Sequence, residues 1–205
     1  MYEILKKILP LISYIFHPIF IALYATLFYL FSNNSYFINQ EKIFILLQIA
    51  IITVLVPILF SFVLRSTGKI SSYMIPSISE RKIPLVIHVF LIILLVRRTI
   101  TLEHYPELHF FFLGALMSTL IALLLLFVKT KASLHMMGIS GLTIFVIGLS
   151  LHDQHPYTYL IAALILMNGV VASSRLVMKA HNLKELILGT LIGAIPQMLL
   201  LYLWL

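Results

Sequence analysis

Residues 43–64 read IFILLQIAIITVLVPILFSFVL, an apolar run with no charge between Lys42 and Arg65. Wound as a helix at ~1.5 Å per residue, a run of this length crosses the ~30 Å hydrocarbon core of a bilayer. Runs of the same kind alternate with short polar connections along the whole chain. They give seven candidate spans, at residues 9–31, 43–64, 84–96, 109–128, 134–151, 156–172 and 186–205. The third is short and reaches full length only if Arg97 and Arg98 snorkel to the far interface. The first follows Lys6 and Lys7 with no small-residue cleavage site after it, so it is read as a retained anchor.

Composition agrees with this reading. The 205 residues are 61% hydrophobic and only 10% charged, outside the range of soluble globular domains. The expected fold is all-α, a polytopic membrane bundle of six to seven transmembrane helices in a single domain over residues 1–205. With no cysteine, disulfides, thiolate metal sites and cysteine nucleophiles are excluded. The net charge of +7 is read as topology, with no nucleic-acid partner expected. Seven crossings place Lys6, Lys7, Arg65, Lys69, Arg81, Lys82, Lys129, Lys131, Arg175, Lys179 and Lys184 on one face, against Lys42, Arg97 and Arg98 on the other. The positive-inside rule makes the first face cytoplasmic. Setting aside Arg81, Lys131 and Arg175 as possible ligands leaves the bias unchanged.

Two connections on that face carry chemistry. Ser174-Arg175, His181 and Glu185 place a hydroxyl, a guanidinium, an imidazole and a carboxylate at one break in a greasy chain, where ionisable groups usually mark a site. His181 and Glu185, four residues apart, share a helical face. At that spacing the carboxylate can take a proton from one imidazole nitrogen and leave the other aimed at a substrate, as a nucleophilic histidine requires. A plainer reading makes Asn182 to Glu185 a capping box and Arg175 an interfacial anchor. In the second connection, Ser133 can cap a helix whose first N–H groups point at an anion. His135 would stand on that rim, or serve as an ordinary interfacial histidine.

Other features are weaker. His17-Pro18 and His88 are polar groups at membrane depth. His152-Asp153-Gln154-His155 has a metal-like composition without a fourth ligand. Gly138, Gly141, Gly189 and Gly193 form small-residue stripes that let helices pack closely.

Ser174-Arg175, five residues, His181, three residues, Glu185 resembles the third signature of the type 2 phosphatidic acid phosphatase superfamily, which has Asp at the last position. Ala132-Ser133-Leu134-His135 is similar to its second signature, Pro-Ser-Gly-His, in the Ser and the His. Lys69 and Glu80-Arg81-Lys82-Ile83-Pro84 stand where the first signature, Lys, six residues, Arg-Pro, is expected, with different spacing. The resemblance implies that His181 attacks phosphorus to form a phosphohistidine, that Glu185 orients it, and that His135 protonates the leaving alcohol. It also implies that Arg175 and Arg81, with Lys69 or Lys131 and the hydroxyls of Ser133 and Ser174, bind the phosphate. The partner would be a lipid phosphate in the bilayer, with no metal or other cofactor, in a bacterial inner membrane. Family sites face outward after three helices, whereas the charge bias here places the site inside after two. Glu185 is one methylene longer than Asp, and Leu134 replaces a Gly that lets backbone approach phosphate. A lipid-phosphate-binding protein without chemistry, or a small transporter, is the competing expectation.

Overall fold

The computed structural model describes residues 2–32, 37–71 and 77–205, apart from the side chains of residues 2–8, so the side chains of Lys6 and Lys7 lie outside the described part. The described residues form helices α1 (Tyr2–Ile15), α2 (Pro18–Ser32), α3 (Asn39–Ala50), α4 (Val56–Ser66), α5 (Lys82–Arg98), α6 (Pro106–Phe127), α7 (Leu134–His152), α8 (Thr158–Val177) and α9 (Leu183–Leu201), with no strand among them. The chain is an all-helical integral membrane protein. Helices α6, α7, α8 and α9 are each long and apolar enough to cross a bilayer, as is the continuous stretch Asn39–Ser66. A sixth span is available if the bent pair α1 and α2 counts as one. The third expected span, residues 84–96, is the exception. Helix α5 has 17 residues and reaches only ~25 Å at 1.5 Å per residue, short of the hydrocarbon thickness.

The run that opened the sequence reading is not one uniform helix. A π turn at Ile51–Leu55 joins α3 to α4, and the Val56 N–H reaches back five residues to the Ile51 oxygen. Pro57 accounts for it. Proline has no N–H to give, and its ring collides with the carbonyl four residues earlier, here Thr53. Widening the helix by one residue moves that carbonyl aside while keeping the backbone bonded inside the span.

The chain divides into two compact units, Met1–Ile21 with Ala132–Leu205, and Ala22–Lys131. In the second unit, Tyr29 and Tyr105 donate hydrogen bonds of 2.7 Å to Glu107 and Glu41. Phe37 lies against both tyrosine rings. Lys42 is buried, its ammonium 4.9 Å from the centre of the Phe31 ring.

The first unit is built on α7, whose buried positions include Met136, Ile139, Leu142, Phe145, Val146 and Leu149. Helix α9 packs closely against it. A Cβ on Gly193 would overlap the Met137 carbonyl oxygen, and one on Gly189 would come within 2.5 Å of the Ser133 oxygen. Glycines four apart on α9 therefore bring two backbones together, as a small-residue stripe does where lipid supplies no hydrophobic drive. Ser140 donates to the Thr190 oxygen at 3.1 Å across this seam. Helix α8 is tied to α7 by Asn168 Nδ2 donating to Thr143 Oγ1 at 2.8 Å. Helix α1 is tied to α8 by the Ser174 hydroxyl, which bonds Ser13 Oγ at 2.7 Å and the Leu9 carbonyl at 2.5 Å.

This packing predicts opposite outcomes for two Gly→Ala substitutions. Gly193→Ala should lower stability by about 1–3 kcal/mol through overpacking. Gly169→Ala on α8, where an added Cβ meets nothing within 4 Å, should be neutral or stabilising by up to about 1 kcal/mol from helix propensity. Unfolding of the detergent-solubilised protein checks both.

Candidate active site

The loops that carry the sequence-predicted residues begin in the same way. Helix α6 runs out at Phe127, Lys129 adopts φ 56°, and the N–H groups of Lys129 and Thr130 bond the oxygens of Leu126 and Leu125. Helix α8 runs out at Val177, Lys179 adopts φ 52°, and the N–H groups of Lys179 and Ala180 bond the oxygens of Leu176 and Arg175. Each is a Schellman motif with lysine at the left-handed position usually given to glycine. The chain then re-enters a helix within a few residues. Ser133 Oγ accepts the Met136 N–H at 3.5 Å to start α7, and Asn182 Oδ1 accepts the Glu185 N–H at 3.0 Å to start α9. The two starts are joined directly, because the Ser133 N–H donates to the Glu185 oxygen at 3.0 Å.

His181 and Glu185 form a hydrogen-bonded pair, Nδ1 to Oε2 at 2.7 Å, with the imidazole 2% and the carboxylate 16% exposed. A carboxylate only accepts, so the proton belongs to Nδ1 and the lone pair to Nε2. The same Oε2 accepts the Asn182 N–H at 3.3 Å. The capping box and the oriented histidine, which the sequence offers as rival readings, are thus both present and share one oxygen.

His135, Arg175 and Ser174 are buried in the same unit. Arg175 and His181 both lie within electrostatic reach of His135. On α8, Arg175 Nη1 approaches the Met178 sulfur at 3.7 Å. The structure therefore brings together six of the nine sequence-predicted residues: His135, His181, Glu185, Arg175, Ser133 and Ser174. Lys69, exposed after α4, Arg81, half-buried at the start of α5, and Lys131, half-buried ahead of Ser133, belong to the other unit.

Two residues of the first apolar segment, Ser13 in α1 and His17 in the break after it, join the cluster. His135 Nε2 lies 3.1 Å from the Ser13 carbonyl oxygen, and the His17 ring meets the His135 ring edge to face at 5.2 Å. His17 stands out in the sequence as a polar group beside a proline at membrane depth. Ser13 acts through its backbone, which leaves no signal in a side-chain motif. The His152 to His155 segment lies elsewhere, and among the described residues no three His, Asp or Glu side chains gather as metal ligands. No protein-family profile, curated protein or solved structure matches this chain.

The left-handed lysine gives a test of how the loop is held. Lys179→Gly should leave stability within about 0.5 kcal/mol. Lys179→Val, β-branched in the same conformation, should lower it by about 1–2 kcal/mol, measured by thermal unfolding in detergent.

Proposed function

We propose that the chain is a membrane lipid phosphatase, a divergent relative of the type 2 phosphatidic acid phosphatases, acting on a phosphate monoester or diphosphate of a lipid. The observation that carries this reading is the 2.7 Å bond between His181 Nδ1 and Glu185, in a unit that also buries His135 and Arg175. A neutral imidazole whose Nδ1–H is held by a carboxylate presents its Nε2 lone pair as a nucleophile, and the carboxylate stabilises the cation that forms on attack.

In the proposed reaction, Nε2 of His181 bonds to phosphorus as the ester P–O bond breaks. His135 delivers a proton to the departing alcohol oxygen. Water then attacks the phosphohistidine, the N–P bond breaks, phosphate leaves, and His181 returns to its starting form. Arg175 is suited to hold two non-bridging oxygens with its planar fork. Phosphoryl transfer asks chiefly for position and positive charge around the transferred group, and these side chains supply both without a metal. A site at helix ends suits a head group whose tail stays in the bilayer.

The purified protein should release phosphate from lipid phosphates without added metal. His181→Ala should reduce release by roughly 10³-fold or more while lipid-phosphate binding persists, and Glu185→Gln should reduce it by roughly 10²-fold or more through loss of orientation. Wild-type protein that binds a lipid phosphate and releases none would make this a binding protein, and equal activity of His181→Ala and wild type would dismiss the nucleophile.

We propose a bacterial inner membrane with the site toward the cytoplasm, the side on which a count of seven crossings gathers the basic residues; a count that leaves out α5, and the family resemblance, favour the opposite side. Because the natural chain has no cysteine, a single one introduced at exposed Thr130 reports the side without background. A membrane-impermeant thiol reagent should label Thr130→Cys only after the cells are opened. Labelling in intact cells would reverse the orientation.

A further inference from the structure

The first apolar segment is broken between Ile15 and Pro18, and its two halves are bent by 62°. In an unbroken helix the Ser13 carbonyl would accept from the His17 N–H and the Tyr14 carbonyl from residue 18. Residue 18 is proline and has no N–H. The His17 N–H turns to the Tyr14 oxygen instead, at 3.4 Å. The Ser13 carbonyl, released by that shift, receives His135 Nε2 at 3.1 Å.

A carbonyl only accepts, so Nε2 of His135 carries a proton and Nδ1 is the nitrogen whose proton can come and go. His17 completes the arrangement. Its Nδ1 accepts the Ile19 N–H at 3.3 Å, which anchors the ring on the first turn of α2. That ring stands against His135 at an interplanar angle of 85°. One group sets the tautomer of His135 and the other sets its plane, and both come from the break.

We propose that the Ser13 carbonyl and the His17 ring are positioning groups of the site, holding His135 so that Nδ1 gives its proton to the leaving oxygen while Nε2–H stays on Ser13. The proposal rests on the phosphatase reading and adds the first helix to the machinery. Nδ1 takes up its proton from the incoming phosphate monoester monoanion; when the ester bond breaks, the electron pair goes to the leaving oxygen, that proton follows it, and His135 returns to the neutral form with its proton on Nε2. Pro18 serves by keeping the Ser13 carbonyl out of the helical ladder.

Two variants test it. Pro18→Ala restores an N–H for Tyr14 and lets His17 reclaim Ser13, and His17→Leu removes the ring that braces His135. Each is assayed on a long-chain alkyl phosphate, whose leaving alkoxide needs a proton, and on the matching 4-alkyl-2-nitrophenyl phosphate, whose acidic phenol leaves readily as the anion. The expected result is a fall of roughly 10-fold or more in kcat on the alkyl ester, with KM and the aryl reaction changed by less than about 3-fold. Equal losses on both esters, or no loss on either, would overturn the proposal.

The tautomer is read separately by nitrogen NMR of histidine-labelled protein in bilayers, with His135 assigned from His135→Asn. Wild type and His17→Leu should both show Nε2 protonated, and Pro18→Ala a mixture of tautomers. If wild type releases phosphate from neither ester, the phosphatase reading fails and this measurement alone decides the positioning role. An unchanged tautomer in Pro18→Ala would then overturn it.

Discussion

The near-contact of the α7 and α9 backbones is the constraint on which the site depends. Gly189 and Gly193 remove the side chains that would hold the helices apart, and at that separation the Ser133 N–H reaches the Glu185 oxygen. One hydrogen bond thereby fixes the register of two helix starts. His135 lies two residues beyond one end of that bond, and His181 lies four residues before the other. Their relative placement is set by main chain rather than by long side chains, which suits a reaction that loses about 100-fold in rate for an error of about 1 Å.

Hydrocarbon makes the broken first helix demanding. An unsatisfied backbone carbonyl at membrane depth costs several kcal/mol, so a proline break survives only where something else bonds the released groups. Here the His17 N–H and His135 Nε2 answer the carbonyls of Tyr14 and Ser13, and the Ser174 hydroxyl adds a bond to the Leu9 carbonyl within α1. The same bonds that satisfy α1 also draw it onto α7 and α8. Ser174 is consequently held between Ser13 and Leu9. This is a structural task for a residue that the signature alone suggests as a phosphate ligand.

What could be read from the sequence follows from how local each cause is. The spans were legible because a long run without charge suits a membrane helix, and α5, with 17 residues, stands at the short end of what can cross. The His181 and Glu185 pair was legible because a spacing of four is enforced by the helix itself. The π turn before Pro57 was not drawn from the sequence, although proline supplies its cause, because a proline in a span permits a kink, a break or a widened turn. The partner of His135 was hidden altogether, since it is a carbonyl released by a break 122 residues away. Lys69, Arg81 and Lys131 were singled out by charge and order along the chain, and all three fall in the second unit.

The glutamate at 185 stands where the signature that this loop resembles has aspartate, and the geometry gives it a task. A capping box calls for Glu or Gln at the third helical position, where the side chain is long enough to fold back to the N-cap N–H. Glu185 does so, and its Oε2 meets the Asn182 N–H and His181 Nδ1 together. An aspartate at this position, one methylene shorter, would have to choose between them. The extra methylene that looks like a flaw beside the signature is, in this loop, the length that lets one oxygen both start α9 and orient the imidazole. Leu134 reads differently, because Ser133 caps α7 through its own side chain and the residue after it contributes only its place in the first turn.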